Sequence, residues 1–137
     1  MVDIAEAALR IARERVGAGV QGVRWLVADA RELALPEPVD LWHDRAVFHF
    51  LTDVADQEAY LGSLRGALAR NGHVIMATFS LSGPPKCSGL PVVRYDAAGL
   101  ACRLGADFTL LRAVQKPHVT PAGGIQDFTY GLFRRNR

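Results

Sequence analysis

The chain is 137 residues long, half of them hydrophobic, with 16 basic against 14 acidic side chains and a formal charge of +2. This bounds one domain, residues 1–137, and excludes a nucleic-acid-binding stripe, because the basic residues are scattered except for a closing Arg134, Arg135, Arg137 cluster that reads as a solvated end. No apolar run approaches the roughly 18 residues of a membrane span, the first turn carries Asp3 and Glu6, and Cys87 and Cys102 form no C-x-x-C pair, so a soluble cytoplasmic protein with free thiols is expected.

Val2-Asp3-Ile4 reads as the tail of a strand, and residues 5–16 as a helix with Ala8, Leu9, Ala12 and Val16 on one face. Gly17 and Gly19 stop that helix. Val23 to Val27 is a short strand of buried type that ends at Ala28-Asp29-Ala30, and Pro36 and Pro38 mark the loop after it. Val39 to His43 is the next strand, followed by Asp44-Arg45 and a short turn to Leu51. Thr52-Asp53 caps a helix over roughly 54–69. Asn71-Gly72 then reads as a stop and turn before the clearest strand, His73 to Phe79. A long loop, 80–93, leads to a helix capped by Asp96 and ended by Gly105. Phe108–Val114 and Phe128–Arg134 have no helix between them, so they pair antiparallel. The order is α/β, with a parallel sheet finished by an antiparallel hairpin.

Four joints of this order resemble the class I S-adenosylmethionine-dependent methyltransferases: Val2-Asp3-Ile4 before Ala5-Glu6-Ala7; Val27-Ala28-Asp29-Ala30; the run Val39-Asp40-Leu41-Trp42-His43-Asp44-Arg45-Ala46-Val47-Phe48-His49-Phe50; and Leu68-Ala69-Arg70-Asn71-Gly72-His73. The resemblance implies a Rossmann-like three-layer sandwich with S-adenosylmethionine as cofactor. It assigns Asp3 and Ile4 to the ribose and Asp29 and Ala30 to the adenine. Asp44, with His43 and His49, falls at the methyl end as the catalytic group. Elementary chemistry agrees, since ligands of open α/β sheets lie beyond the carboxyl ends of the parallel strands, and Asp3, Asp29 and Asp44 each follow an apolar strand there.

The family's first strand and glycine-rich loop have no counterpart. The sequence holds no G-x-G-x-x-G, and Gly17-Ala18-Gly19-Val20-Gln21-Gly22 follows a helix and precedes a strand. An N-terminally truncated relative is the resulting expectation. The family places that first strand at the sheet's centre, so two strand edges are left unpaired. Residues 23–27 are expected either to slide over and pair with 39–43 or to leave edges that join two chains as a homodimer; a separate polypeptide supplying the missing part is a third repair.

Two other functions stay open. One is a non-catalytic remnant that binds or regulates a partner. The other is hydrolysis through His43, Asp44 and His49, with Cys87 or His118 assisting. The six-residue spacing of His43 and His49 matches no strong metal motif, so no metal is assigned. Trp25, Trp42, Phe48, Phe50 and Phe79 read first as core aromatics, and Cys102 as a core residue of its helix.

Overall fold

The computed structural model describes residues 1–17 and 19–136. Ala18, within the glycine-flanked stretch, and Arg137, of the closing arginine cluster, lie outside the described residues. Strand β1 (Val2–Asp3) leads into α1 (Glu6–Val16) and β2 (Leu26–Val27). Strand β3 (Val39–Arg45), a 3₁₀ turn (Phe48–Phe50), α2 (Val54–Ala67) and β4 (Leu68–Phe79) follow. A small hairpin, β5 (Lys86–Cys87) and β6 (Leu90–Pro91), precedes α3 (Ala97–Leu104) and a long hairpin, β7 (Phe108–Val119) and β8 (Ile125–Arg135).

Two sheets carry the fold. Strands β1 and β2 pair in parallel, while β3, β4, β8 and β7 form a four-stranded sheet in that order, parallel between β3 and β4 and antiparallel thereafter. Among the described residues no ladder joins β2 to β3, so the expected slide of residues 23–27 onto 39–43 does not occur. Only Leu26 and Val27 of that stretch are strand, because β1 offers two residues to pair with.

Local signals explain most boundaries. The Asp53 and Asp96 side chains cap α2 and α3 by accepting from Ala55 N–H and Gly99 N–H, both at 2.7 Å. Helix α2 ends earlier than expected, and Asn71-Gly72 is a kink inside β4 rather than a turn ahead of it. Val39 pairs with Leu68 and Leu41 with His73, so the intervening β4 residues bulge out, with Asn71 at φ 59° supplying the bend. Ser88 and Gly89, at φ 50° and 81°, make the two-residue turn of the β5–β6 hairpin, which interrupts the expected 80–93 loop. Strand β7 runs through Pro117, which an edge strand tolerates because the missing N–H faces no neighbour.

Residues directly opposite across strands share a face. Trp42, Val74, Met76, Phe133 and Leu110 therefore lie on one side of the larger sheet, and α2 and α3 cover that side with Tyr60, Leu61, Leu64, Leu100 and Leu104. Cys102 points out of α3 and is exposed, so it is not the core residue expected. Among the described residues the opposite side carries a small cluster, Ala77, Phe79 and Phe128, beneath Cys87 and Val92 of the small hairpin region.

Candidate functional site

Asp3 closes β1, and Asp29 follows β2 by two residues. Their strands are in register, Asp3 opposite Val27, and Ala28 N–H donates to the Asp3 carbonyl at 3.1 Å, extending the ladder. Both aspartates thus lie at the carboxyl end of a parallel pair. Asp3 is half-buried; its Oδ1 accepts from Ala5 N–H at 2.8 Å, and its second oxygen has no partner among the described residues. Ile4 beside it is 69% exposed, an apolar surface available to a ligand.

Asp29 is clasped. The Arg31 guanidinium donates to both its oxygens, at 2.6 to 3.1 Å, and Arg31 N–H adds a 2.8 Å bond to Oδ1. These bonds hold the Asp29 carboxyl below its usual range, the Arg31 side chain first. Arg31 also reaches Asp56 at 2.7 Å, and its carbonyl accepts from the Ser63 hydroxyl, which tethers this loop to α2. Ala30 packs against the main core from the same loop. Arg31 is a site residue that the sequence reading missed; the D-x-R spacing was the available signal.

Asp44 is 4% exposed and turned onto the helix-covered face. Its Oδ1 accepts from Val47 N–H at 2.9 Å, and its Oδ2 accepts from Phe48 N–H at 3.0 Å and the Tyr60 hydroxyl at 2.5 Å. Tyr60 in turn accepts from Trp42 Nε1 at 2.8 Å. Burial raises the Asp44 pKa, against the three donors and the nearby His43; burial, then the Asp44 charge, raises that of Tyr60. This staple folds the chain sharply at the end of β3, where Ala46 adopts φ 66°, a left-handed conformation that a non-glycine residue rarely takes.

The three residues expected to act together do not converge. His43 precedes Asp44 in a strand, so it projects from the other face and is exposed. His49 is fully buried in the 3₁₀ turn, edge-on to Phe50 and Phe79. Its Nδ1 accepts a long 3.4 Å bond from Phe79 N–H, its Nε2 has no partner, and burial lowers its pKa to about 4. Among the described residues no three His, Cys, Asp or Glu side chains gather as metal ligands. His118 lies in β7 with its ring against Phe128, rather than in the hairpin loop, and Cys87 packs beside the same cluster. Near it Arg45 stacks over Phe128 at 4.9 Å and bonds the Tyr130 hydroxyl. A separate cavity of about 580 Å³, lined by Glu6, Arg10, Arg13, Trp25 and Val27, touches none of the three aspartates.

The methyltransferase-domain family matches residues 1–72. No curated protein matches the chain in sequence. Among solved structures, the N-methyltransferase NodS from Bradyrhizobium japonicum WM9 superposes with a TM-score of 0.79 at 18% identity, over 99% of this chain and 72% of that one. The same enzyme in complex with S-adenosylhomocysteine gives 0.76 at 16% identity, over 99% and 65%. Burkholderia thailandensis 1,6-didemethyltoxoflavin-N1-methyltransferase, with bound 1,6-didemethyltoxoflavin and S-adenosylhomocysteine, gives 0.74 at 21% identity, over 99% and 60%. The chain therefore spans between 60 and 72% of the length of these structures. The fold is the Rossmann-like α/β fold shared with these structures, divided among the described residues into the β1–β2 pair and the β3–β4–β8–β7 sheet.

Proposed function

This chain belongs to the class I S-adenosylmethionine-dependent methyltransferase family, and from that premise we propose that its strand-end carboxylates hold S-adenosylmethionine for methyl transfer to an N, O or S nucleophile. The observation that carries the proposal is the parallel register of Asp3 opposite Val27, which brings Asp3 at the end of β1 and Asp29, two residues past β2, to the same carboxyl end of the pair. The donor set fits in part. Asp3 has one oxygen free to accept from a ribose diol, with Ile4 exposed beside it. Asp29 accepts from an adenine amine only as Arg31 yields one of its bonds, and Arg31 has Asp56 to retain it. Asp44 is buried and already accepts three hydrogen bonds, so its part is to hold the 46–50 turn at the methyl end. His43, exposed on the other face, and His49, buried, then act on the shape of that end. Held by Asp3, Ile4, Asp29 and Ala30, S-adenosylmethionine would supply an electrophilic methyl group for the acceptor's lone pair. The chain's own contribution is orientation and exclusion of water.

A second reading is a non-catalytic binding or regulatory partner. It is favoured by the split, among the described residues, between β1–β2 and the larger sheet. In both readings the chain pairs as a homodimer along exposed strand edges, of which β7 is the longest, and works in the cytoplasm, a location supported by two free cysteines. Calorimetric titration with S-adenosylhomocysteine separates the two. We expect a Kd below about 100 µM, about −5.5 kcal/mol, weakened at least tenfold, ~1.4 kcal/mol, by Asp3→Ala. Absence of binding at millimolar ligand leaves the second reading in possession.

A further inference from the structure

The carboxylate near the end of β3 keeps its charge with no cation beside it. Trp42 Nε1 donates to the Tyr60 hydroxyl at 2.8 Å, and an indole N–H cannot accept in return. The Tyr60 hydrogen is therefore committed to Asp44 Oδ2, 2.5 Å away. Val47 N–H and Phe48 N–H bring two more hydrogens, and among the described residues every hydrogen bond to the Asp44 side chain is one that it accepts. Three donors and no acceptor suit a carboxylate rather than a carboxylic acid. Burial pushes Asp44 toward its neutral form, and these donors, with nearby His43, oppose that push. Among the described residues no ion pair includes Asp44. His43 projects from the other face, and Arg45 stacks over Phe128. His49, in the turn, has its pKa lowered to about 4 by burial and is neutral near pH 7. Met76 across the ladder and Gln57 and Tyr60 on α2 carry no charge.

A buried carboxylate without a cation destabilises a fold, yet here three donors converge to keep it ionised. In a setting of low dielectric its field acts over a longer distance than it would in water. S-adenosylmethionine carries a positive charge on its sulfur, and S-adenosylhomocysteine, without the methyl, is neutral there. We propose that Asp44, held ionised by the Tyr60 hydroxyl, is the counter-charge of the methyl end and makes this chain prefer a cationic ligand to a neutral one of similar shape, with Tyr60 and Trp42 as positioning residues. The inference rests on the reading of the 46–50 turn as the methyl end and adds a selectivity to it. Trp42, Phe48 and Tyr60 belong to the main core between α2 and the larger sheet, so the carboxylate sits in a fixed frame.

The test titrates chain 1–137 by calorimetry with S-adenosylmethionine, S-adenosylhomocysteine and sinefungin, in which an amine carries the charge without a transferable methyl. Both cationic ligands are expected to bind roughly fivefold more tightly than S-adenosylhomocysteine. Asp44→Asn should bring that ratio to about one, whereas a loss of local shape alone weakens all three ligands alike. Should Asp44→Asn fail to fold, Tyr60→Phe, which removes one donor and keeps the ring, is read in its place and should lower the ratio about twofold. Without ligand, the ¹³C shift of the Asp44 carboxyl at about pH 7.5 should be that of a carboxylate. Equal wild-type affinity for the three ligands, a ratio unchanged in the folded variant, or the ¹³C shift of a neutral acid overturns the proposal and leaves the cofactor reading standing. Binding of none of the three at millimolar concentration overturns both.

Discussion

At the scale of single residues, His49 is the clearest case of position overriding type. A histidine at a strand-end opening suggests proton transfer, but this ring is sealed among Phe50 and Phe79 with an unpartnered Nε2. Its folded pKa, about 4, lies below the unfolded 6.5. The unfolded chain therefore takes up the proton first, and stability falls as pH drops from 6.5 toward 4, by roughly 2–3 kcal/mol. Asp44, whose pKa is raised, acts oppositely, losing stability as pH rises above 3.8, so wild type must be compared with a variant. Urea unfolding at pH 7 and pH 4.5 should show a smaller acid-induced loss in His49→Phe than in wild type. An equal loss in both means that the imidazole is not the group responsible. The aspartates at strand ends were legible from their place after apolar runs. Their commitments were not: Asp44 is bound by Tyr60, sixteen residues on in another element, and Asp29 by a neighbour whose direction only the loop decides.

At the scale of elements, caps and turns were the most legible features because their chemistry is local. Asp53 and Asp96 start the two helices, and Gly105 ends α3 at φ 80°. Asn71-Gly72 misled for an instructive reason: the pair that ends a helix also bends a strand, and the pairing of Val39 with Leu68, a contact from another element, decides between them. Gly131 in β8 shows the same dependence. The Phe133 ring lies over its Cα, so a methyl there would overlap that ring, which is itself fully buried. Gly131→Ala should cost about 1–3 kcal/mol in denaturant unfolding through overpacking. A change below ~0.5 kcal/mol, within the range of a surface substitution, would mean the ring moves aside freely.

At the scale of the whole molecule, element order foretold the class of fold but not how the sheet divides. Alternation of strands and helices, with a final helix-free pair, suffices for an α/β sheet ending in a hairpin. Which edges remain open depends on strand partners, and those emerge only from the ladders: β1 with β2, β3 with β4, and none between the two sets among the described residues. The division puts the proposed cofactor carboxylates on the smaller sheet and the 46–50 turn on the larger one, bridged by the Arg31 tether to Asp56 and Ser63. In the proposed function one ligand spans both. The most direct measurement is a ¹⁵N–¹H correlation spectrum of chain 1–137 titrated with S-adenosylhomocysteine. Shifts are expected at the amides of Ile4 and Ala5, of Ala30 and Arg31, and of Val47 and Phe48, saturating together. Shifts confined to the cavity beside Arg10 and Trp25, or none at millimolar ligand, would contradict it.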